Sequence, residues 1–80
     1  MNLEHIRIGK HTVRVAGHVT SVSLEDPYWD ALGEIAEFRN QSINALITEI
    51  DAVRSGNLSS ALRVFVLRWY RGQLNARAAA

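Results

Sequence analysis

The sequence predicts an α+β fold in which an N-terminal β segment precedes three helices and a second copy of the chain completes the core. Residues 1–24 alternate in polarity, whereas three later segments repeat apolar side chains at helical spacing. The chain has only 80 residues and no cysteine, so one copy buries a small core. We therefore expect a homodimer, because association adds buried area that disulfides cannot supply.

The first 24 residues predict extended structure. Residues 6–8 alternate in character, and Gly9-Lys10 is a candidate hairpin turn. A second break at Ala16-Gly17 is followed by residues 18–24, which are rich in β-branched side chains. Successive strand side chains point to opposite faces, so the even-numbered residues share one face. We expect that face to meet the core, with Thr20, Val22 and Leu24 on it.

A first helix is predicted from Asp26 to about Asn40. Asp26 can cap the free amides of the first turn, and Pro27 suits the first helical position. Apolar side chains then recur at helical spacing, while acidic side chains face away. The apolar set is Trp29, Leu32, Ile35 and Ala36, and the acidic set is Asp30, Glu34 and Glu37.

Two further helices follow, each after a capping residue. Ser42 precedes an apolar stripe, and Asn57 precedes a third helix that is apolar around most of its circumference. Such a helix must be buried on several sides, which favours a dimer. Residues 1–72 are expected to form one domain, with residues 73–80 as a frayed tail. The apolar positions are Ile43, Leu46, Ile47 and Ile50, then Leu58, Leu62, Phe65, Val66 and Trp69.

The charge distribution places basic ends around an acidic middle. Residues 1–24 carry three basic side chains against one acid, for +2. Residues 25–54 carry two against seven, for −5, and residues 55–80 carry four against none, for +4. We expect any anion-binding surface to be built from the basic ends.

Three segments resemble a subfamily of small bacterial ribbon-helix-helix proteins: residues 17–32, residues 42–46 and residues 57–67. The resemblance implies a homodimer in which one strand from each subunit pairs antiparallel, and this ribbon enters the DNA major groove. It implies base-facing positions at Val19, Ser21 and Ser23. Phosphate contacts are implied at Ser42, Ile43 and Asn44, at the start of the second helix. The implied dimer core comprises Thr20, Val22, Leu24, Trp29, Leu32, Leu46, Ile50, Phe65 and Trp69.

The base-facing strand departs from many relatives, which carry Arg or another long polar residue there. Ser21 and Ser23 can bond to base edges and Val19 can contact a thymine methyl, but none offers a bidentate contact. We expect affinity to depend on phosphate contacts from basic side chains, and to fall steeply with salt. These side chains are Arg7, Lys10, Arg14 and His18.

The sequence therefore predicts a homodimeric DNA-binding protein that acts as a transcriptional repressor or regulator, with double-stranded DNA as its partner. The alternative is a dimeric protein-interaction module, antitoxin-like or an adaptor, that does not read DNA sequence. The long third helix and the missing ribbon arginine support that alternative, which would require a protein partner.

No enzymatic or metal chemistry is predicted. Ser59-Ser60 has no nearby histidine as base, and no glycine-rich phosphate loop is present. His5, His11 and His18 lie six and seven residues apart in extended chain, which fits no compact metal site. We expect no cofactor and no membrane association. The first residues contain no apolar secretory segment, so we expect a cytoplasmic protein.

Overall fold

The computed structural model describes residues 6–79, and these form an antiparallel β-hairpin followed by three helices. The strands are β1 (Ile8–Val15) and β2 (His18–Glu25). The helices are α1 (Asp26–Phe38), α2 (Ile43–Val53) and α3 (Leu58–Ala79). The α+β class expected from the sequence is confirmed.

The hairpin turn consists of Ala16 and Gly17. Both have positive φ, 53° and 81°, as a two-residue turn between twisted strands requires. The ladder runs from the pair Val15–His18 to the pair Ile8–Glu25 without interruption. The expected turn at Gly9-Lys10 is therefore wrong, because the register set at Ala16-Gly17 pairs those two residues with the end of β2 and keeps them inside β1.

One face of the hairpin packs on the helices. Val13 and Val15 of β1 are buried, as are Val22 and Leu24 of β2. The alternation predicted for β2 thus holds at Val22 and Leu24, whereas Thr20 is exposed in the single chain. The hairpin therefore supplies one apolar face to the core and leaves the other open to solvent.

The ends of α1 depart slightly from the sequence expectation. Asp26 lies in the first helical turn, Glu25 is the N-cap, and no side chain caps the helix there. The Asp26 N–H instead donates to the carbonyl oxygen of Arg7 at 2.8 Å, which joins the helix start to the hairpin. At the other end Asn40 has a φ of 55°, and the Gln41 N–H donates to the Ala36 carbonyl oxygen, which closes a Schellman-type end.

Both later caps are confirmed. The Ser42 Oγ accepts from the Ala45 N–H at 3.0 Å, and the Asn57 Oδ1 accepts from the Ser60 N–H at 2.8 Å. The helices enclose a single cluster of buried side chains beneath the hairpin. Its largest fully buried members are Leu24, Leu32, Ile35, Leu46, Ile47 and Leu62.

Helix α3 continues past Gly72 to Ala79, further than the loss of an apolar pattern predicts. Residues 73–79 include Gln, Leu, Arg and Ala, which all favour helix, and this propensity accounts for the extension. Residues 71–78 are exposed. No helix within residues 6–79 is long and apolar enough to cross a bilayer.

Candidate nucleic-acid interface

The solvent-facing side of the hairpin, which we call the outer face, carries side chains from both strands. Four directly opposed pairs lie on it: Arg14 with Val19, Thr12 with Ser21, Lys10 with Ser23, and Ile8 with Glu25 at the end of the ladder. The six side chains of the first three pairs are all exposed. The three positions predicted to face bases therefore lie together on one open face, beside two basic side chains of β1.

The two strands also differ in how their backbones are paired. In a hairpin with a two-residue turn, the residues flanking the turn exchange hydrogen bonds, and every second pair does so. The bond between Asp26 and Arg7 continues that alternation beyond Ile8–Glu25. The N–H and C=O groups of Val19, Ser21 and Ser23 consequently point away from β1. No other backbone bond joins these three residues to the described part of the chain.

An open groove of about 690 Å³ runs along this free edge of β2. Thr20 and Val22 line one side of it, and Ser59, Ser60 and Arg63 of α3 line the opposite side. Arg63 donates from Nε to the Glu25 carboxylate at 2.8 Å, which ties α3 to the end of β2. That hydrogen bond holds the pKa of Glu25 below its ordinary value.

Beyond the groove, helix α3 carries a stripe of exposed apolar side chains. Val64, Leu67 and Leu74 are 46%, 54% and 66% exposed. Their spacing of three and seven residues places them on one side of the helix. The same side carries Ser60, which lines the groove. Val64 lines a separate groove between α2 and α3, and Leu74 lines another beside α1.

The start of α2 is the second predicted anion-binding element. Ser42 and Asn44 are exposed, whereas Ile43 is half-buried. The Ser42 hydroxyl oxygen is engaged in the cap, which leaves the other free amides of the first turn open. Thr48 donates its hydroxyl to the Asn44 carbonyl oxygen at 2.8 Å, which fixes this turn.

The remaining predicted positions divide by burial and by face. Arg14 lies on the outer face, but His18, which pairs with Val15, lies on the opposite side by strand alternation. His18 lines the groove instead. Of the predicted dimer-core residues, Val22, Leu24, Leu32, Leu46 and Ile50 are buried within the single chain, Trp29, Phe65 and Trp69 are partly buried, and Thr20 is exposed.

His11 has a structural role that the sequence did not reveal. Its ring stacks on Trp29 with centroids 3.8 Å apart and planes 1° apart. His11 lies on the inner side of β1. The sequence pattern that could have revealed this is the strand alternation, had it been continued from Val13 back through Gly9-Lys10. His5 lies outside the described residues, and within residues 6–79 no three His, Cys, Asp or Glu side chains cluster in a way that suits a metal ion.

The hairpin, the capped helices that follow it and the open strand edge define a ribbon-helix-helix type of protein. The family model for the ribbon-helix-helix domain matches residues 8–70, and the chain belongs to this family. The chain is also similar to a solved structure, that of an uncharacterized protein from Bordetella pertussis Tohama I, with 30% identity and a TM-score of 0.79. That match covers 96% of this chain and 66% of the other, just under two thirds of its length. No curated protein matches the chain.

The family is one of non-enzymatic DNA-binding regulators whose members typically dimerise. The expected family is therefore confirmed.

Proposed function

We propose that this chain is a homodimeric DNA-binding protein that acts as a cytoplasmic transcriptional regulator, most simply a repressor. Two β2 strands pair antiparallel through their free edges, and the resulting ribbon presents Val19, Ser21 and Ser23 to the DNA major groove. The observation that carries the proposal is the free β2 edge. Its backbone groups are unpaired within the described chain, and its three outer side chains are exposed and uncharged.

The charge of the two strand edges favours β2 over β1 as the pairing edge. The outer face of β1 carries Lys10 and Arg14, and charged side chains are a common way to keep an edge strand from pairing. Val19, Ser21 and Ser23 present no such barrier. If these residues pair antiparallel with the β2 strand of a second copy, facing residues exchange backbone hydrogen bonds, and their N–H and C=O groups are satisfied.

The apolar stripe of α3 supports the same dimer. Val64, Leu67 and Leu74 remain exposed in the single chain, on the same side of α3 as Ser60, which lines the groove that a second β2 strand would occupy. Covering them with a second copy removes apolar area from water at about 25 cal/mol per Å². Thr20 faces the same groove and becomes part of the dimer core on pairing.

On DNA, the serine hydroxyls bond to base edges and Val19 contacts a thymine methyl. The exposed first turn of α2, at Ser42, Ile43 and Asn44, holds a phosphate through its free amides. Arg14, on the outer face, adds positive charge near the DNA backbone. Serine contacts discriminate less between bases than a bidentate arginine, so we expect modest sequence specificity.

A second candidate function follows from α3. Its exposed apolar stripe also suits a helix of another protein, and an antitoxin-like or adaptor role would use the dimer without reading DNA. This candidate predicts that the protein has no measurable affinity for duplex DNA at low salt.

Selection from a random duplex pool tests the proposal. Fluorescence anisotropy should reveal binding that weakens with salt, and repeated selection should recover a palindromic site that matches the two-fold symmetry of the dimer. Ser21→Ala combined with Ser23→Ala should reduce the preference for that site over random duplex. The matched control is Ser55→Ala, an exposed serine in the loop before α3.

Two results would contradict the proposal. Absence of duplex binding at low salt would favour the protein-interaction module. If sedimentation shows a stable folded monomer at concentrations where DNA still binds, the protein does not bind DNA through a dimeric ribbon.

A further inference from the structure

We infer that β1 is part of the DNA-binding surface, as an outer strand on each side of the ribbon whose Lys10 and Arg14 bind the phosphates that border the major groove. This inference rests on the proposed function and adds a role for a strand that precedes the ribbon. It starts from the observed register, in which β1 lies beside β2 along all eight residues of each strand.

Pairing through the β2 edges produces a four-stranded sheet in the order β1, β2, partner β2, partner β1. Neighbouring strands lie about 4.8 Å apart, so the backbones of the two outer strands are separated by roughly 14 Å. The major groove is about 12 Å wide and accommodates a two-stranded ribbon. The two β1 strands therefore cannot enter the groove beside β2, and they lie over its borders, where the phosphates are.

The side chains of β1 suit that position. Lys10 and Arg14 are exposed on the outer face, with Thr12 between them. Within residues 6–79, neither basic side chain forms an ion pair. In contrast, the three ion pairs of the described chain involve arginines of the helices and their connections: Arg39 with Glu49, Arg54 with Asp51, and Arg63 with Glu25.

The register also assigns separate roles to the two strands. Arg14 is directly opposite Val19, and Lys10 is directly opposite Ser23, at pairs where the backbones do not exchange hydrogen bonds and side chains are closest. Short side chains of β2 meet the base edges, and long cationic side chains of β1 extend from the borders. The outer strands thus supply affinity that does not depend on base sequence, which compensates for the missing arginine in β2.

The experiment measures the salt dependence of DNA binding by the full chain. Anisotropy titrations of one duplex recovered by selection and one random duplex are performed between about 50 and 200 mM salt. The test variant is Lys10→Gln combined with Arg14→Gln. The matched control is Arg68→Gln combined with Arg77→Gln, which removes the same charge from exposed positions of α3 outside its apolar stripe. Thermal melts confirm that both variants fold.

Removing two phosphate contacts from each subunit should make the slope of log K against log salt less negative by about 3.6, at about 0.9 per contact. Affinity for both duplexes should fall by the same factor, because no base contact is lost. The control variant should retain the wild-type slope.

The outcomes separate this inference from the proposed function. If the wild type binds DNA and the test variant has the same slope, the role of β1 is overturned and the proposed function is not. A test variant that loses its preference between the two duplexes also overturns it, since Lys10 or Arg14 would then contact bases. Absence of wild-type binding overturns both.

Discussion

The two faces of the hairpin differ in burial and in charge, although their side chains alternate along the same sixteen strand residues. On the inner face, Val13, Val15, Val22 and Leu24 are between 0% and 5% exposed. On the outer face, side chains that are mostly polar or basic alternate with them and lie in solvent, and the apolar Ile8 and Val19 are exposed there too. Stability and binding are therefore encoded on opposite sides of one β-ribbon, so substitutions one residue apart should have separable effects.

The largest effect is expected from a charge on the inner face. Leu24→Asp places a carboxylate at a position with 0% exposure and also removes packing volume, at a cost of about 4 kcal/mol or more. That cost approaches the whole stability of a small domain. Urea titration followed by circular dichroism should show an unfolded chain, and Val22→Asp should do the same.

The control for the inner face is an exposed position of β1. Thr12→Asp lies on the outer face, away from the pairing edge of β2, and should change the free energy of unfolding by no more than about 0.5 kcal/mol. A Leu24→Asp variant as stable as Thr12→Asp would mean that the two faces are assigned the wrong way round.

A smaller effect is expected at the start of α2. Ser42→Ala removes the side chain that accepts from the Ala45 N–H and should lower the free energy of unfolding by about 1 kcal/mol. Ser55→Ala, an exposed serine with no capping role, should leave it unchanged. Chemical denaturation measures both variants, and equal midpoints for the two would show that the cap contributes nothing.

The smallest effect concerns pH and the bond between Arg63 and Glu25. Hydrogen bonding to Arg63 lowers the pKa of Glu25 in the folded state. Its stabilisation is therefore complete above the ordinary glutamate pKa of about 4.3, and is lost as the pH falls through the lower, folded pKa. Melting temperatures measured on the acid side should fall more steeply for the wild type than for Arg63→Gln.

Arg68→Gln serves as the control for this ion pair, because Arg68 forms no ion pair within residues 6–79. It should retain the wild-type slope of melting temperature against pH. Parallel curves for the wild type and Arg63→Gln would show that the bond to Glu25 does not stabilise the fold.

Local sequence signals predicted much of the fold. The caps at Ser42 and Asn57 were identifiable because each residue's own side chain makes the bond. The core face of β2 was identifiable at Val22 and Leu24 from alternation alone. These features depend on neighbours within a few residues, so the sequence displays them directly.

Other features depend on residues far apart and escaped prediction. Gly9-Lys10 suits a tight turn locally, yet its partners in the ladder are Leu24 and Ser23, which lie on the other strand of the hairpin. The same long-range pairing places Thr12 beside Ser21 and so makes β1 part of the candidate interface. The free edge of β2 could be recognised only once it was known which residue pairs of the hairpin exchange backbone hydrogen bonds.

Disulfide cross-linking gives the sharpest test of the pairing of two β2 strands. The chain has no cysteine, so Val19→Cys, Ser21→Cys and Ser23→Cys can each be introduced alone or mixed in pairs. Facing residues in narrow antiparallel pairs have Cα atoms about 5.5 Å apart, within disulfide range. Mild oxidation should yield a covalent dimer from at least one of these combinations, and none from Thr12→Cys on the outer strand. Pairing through β2 would be contradicted if Thr12→Cys were the variant that cross-links while the three β2 variants do not, or if none of the four variants formed a covalent dimer.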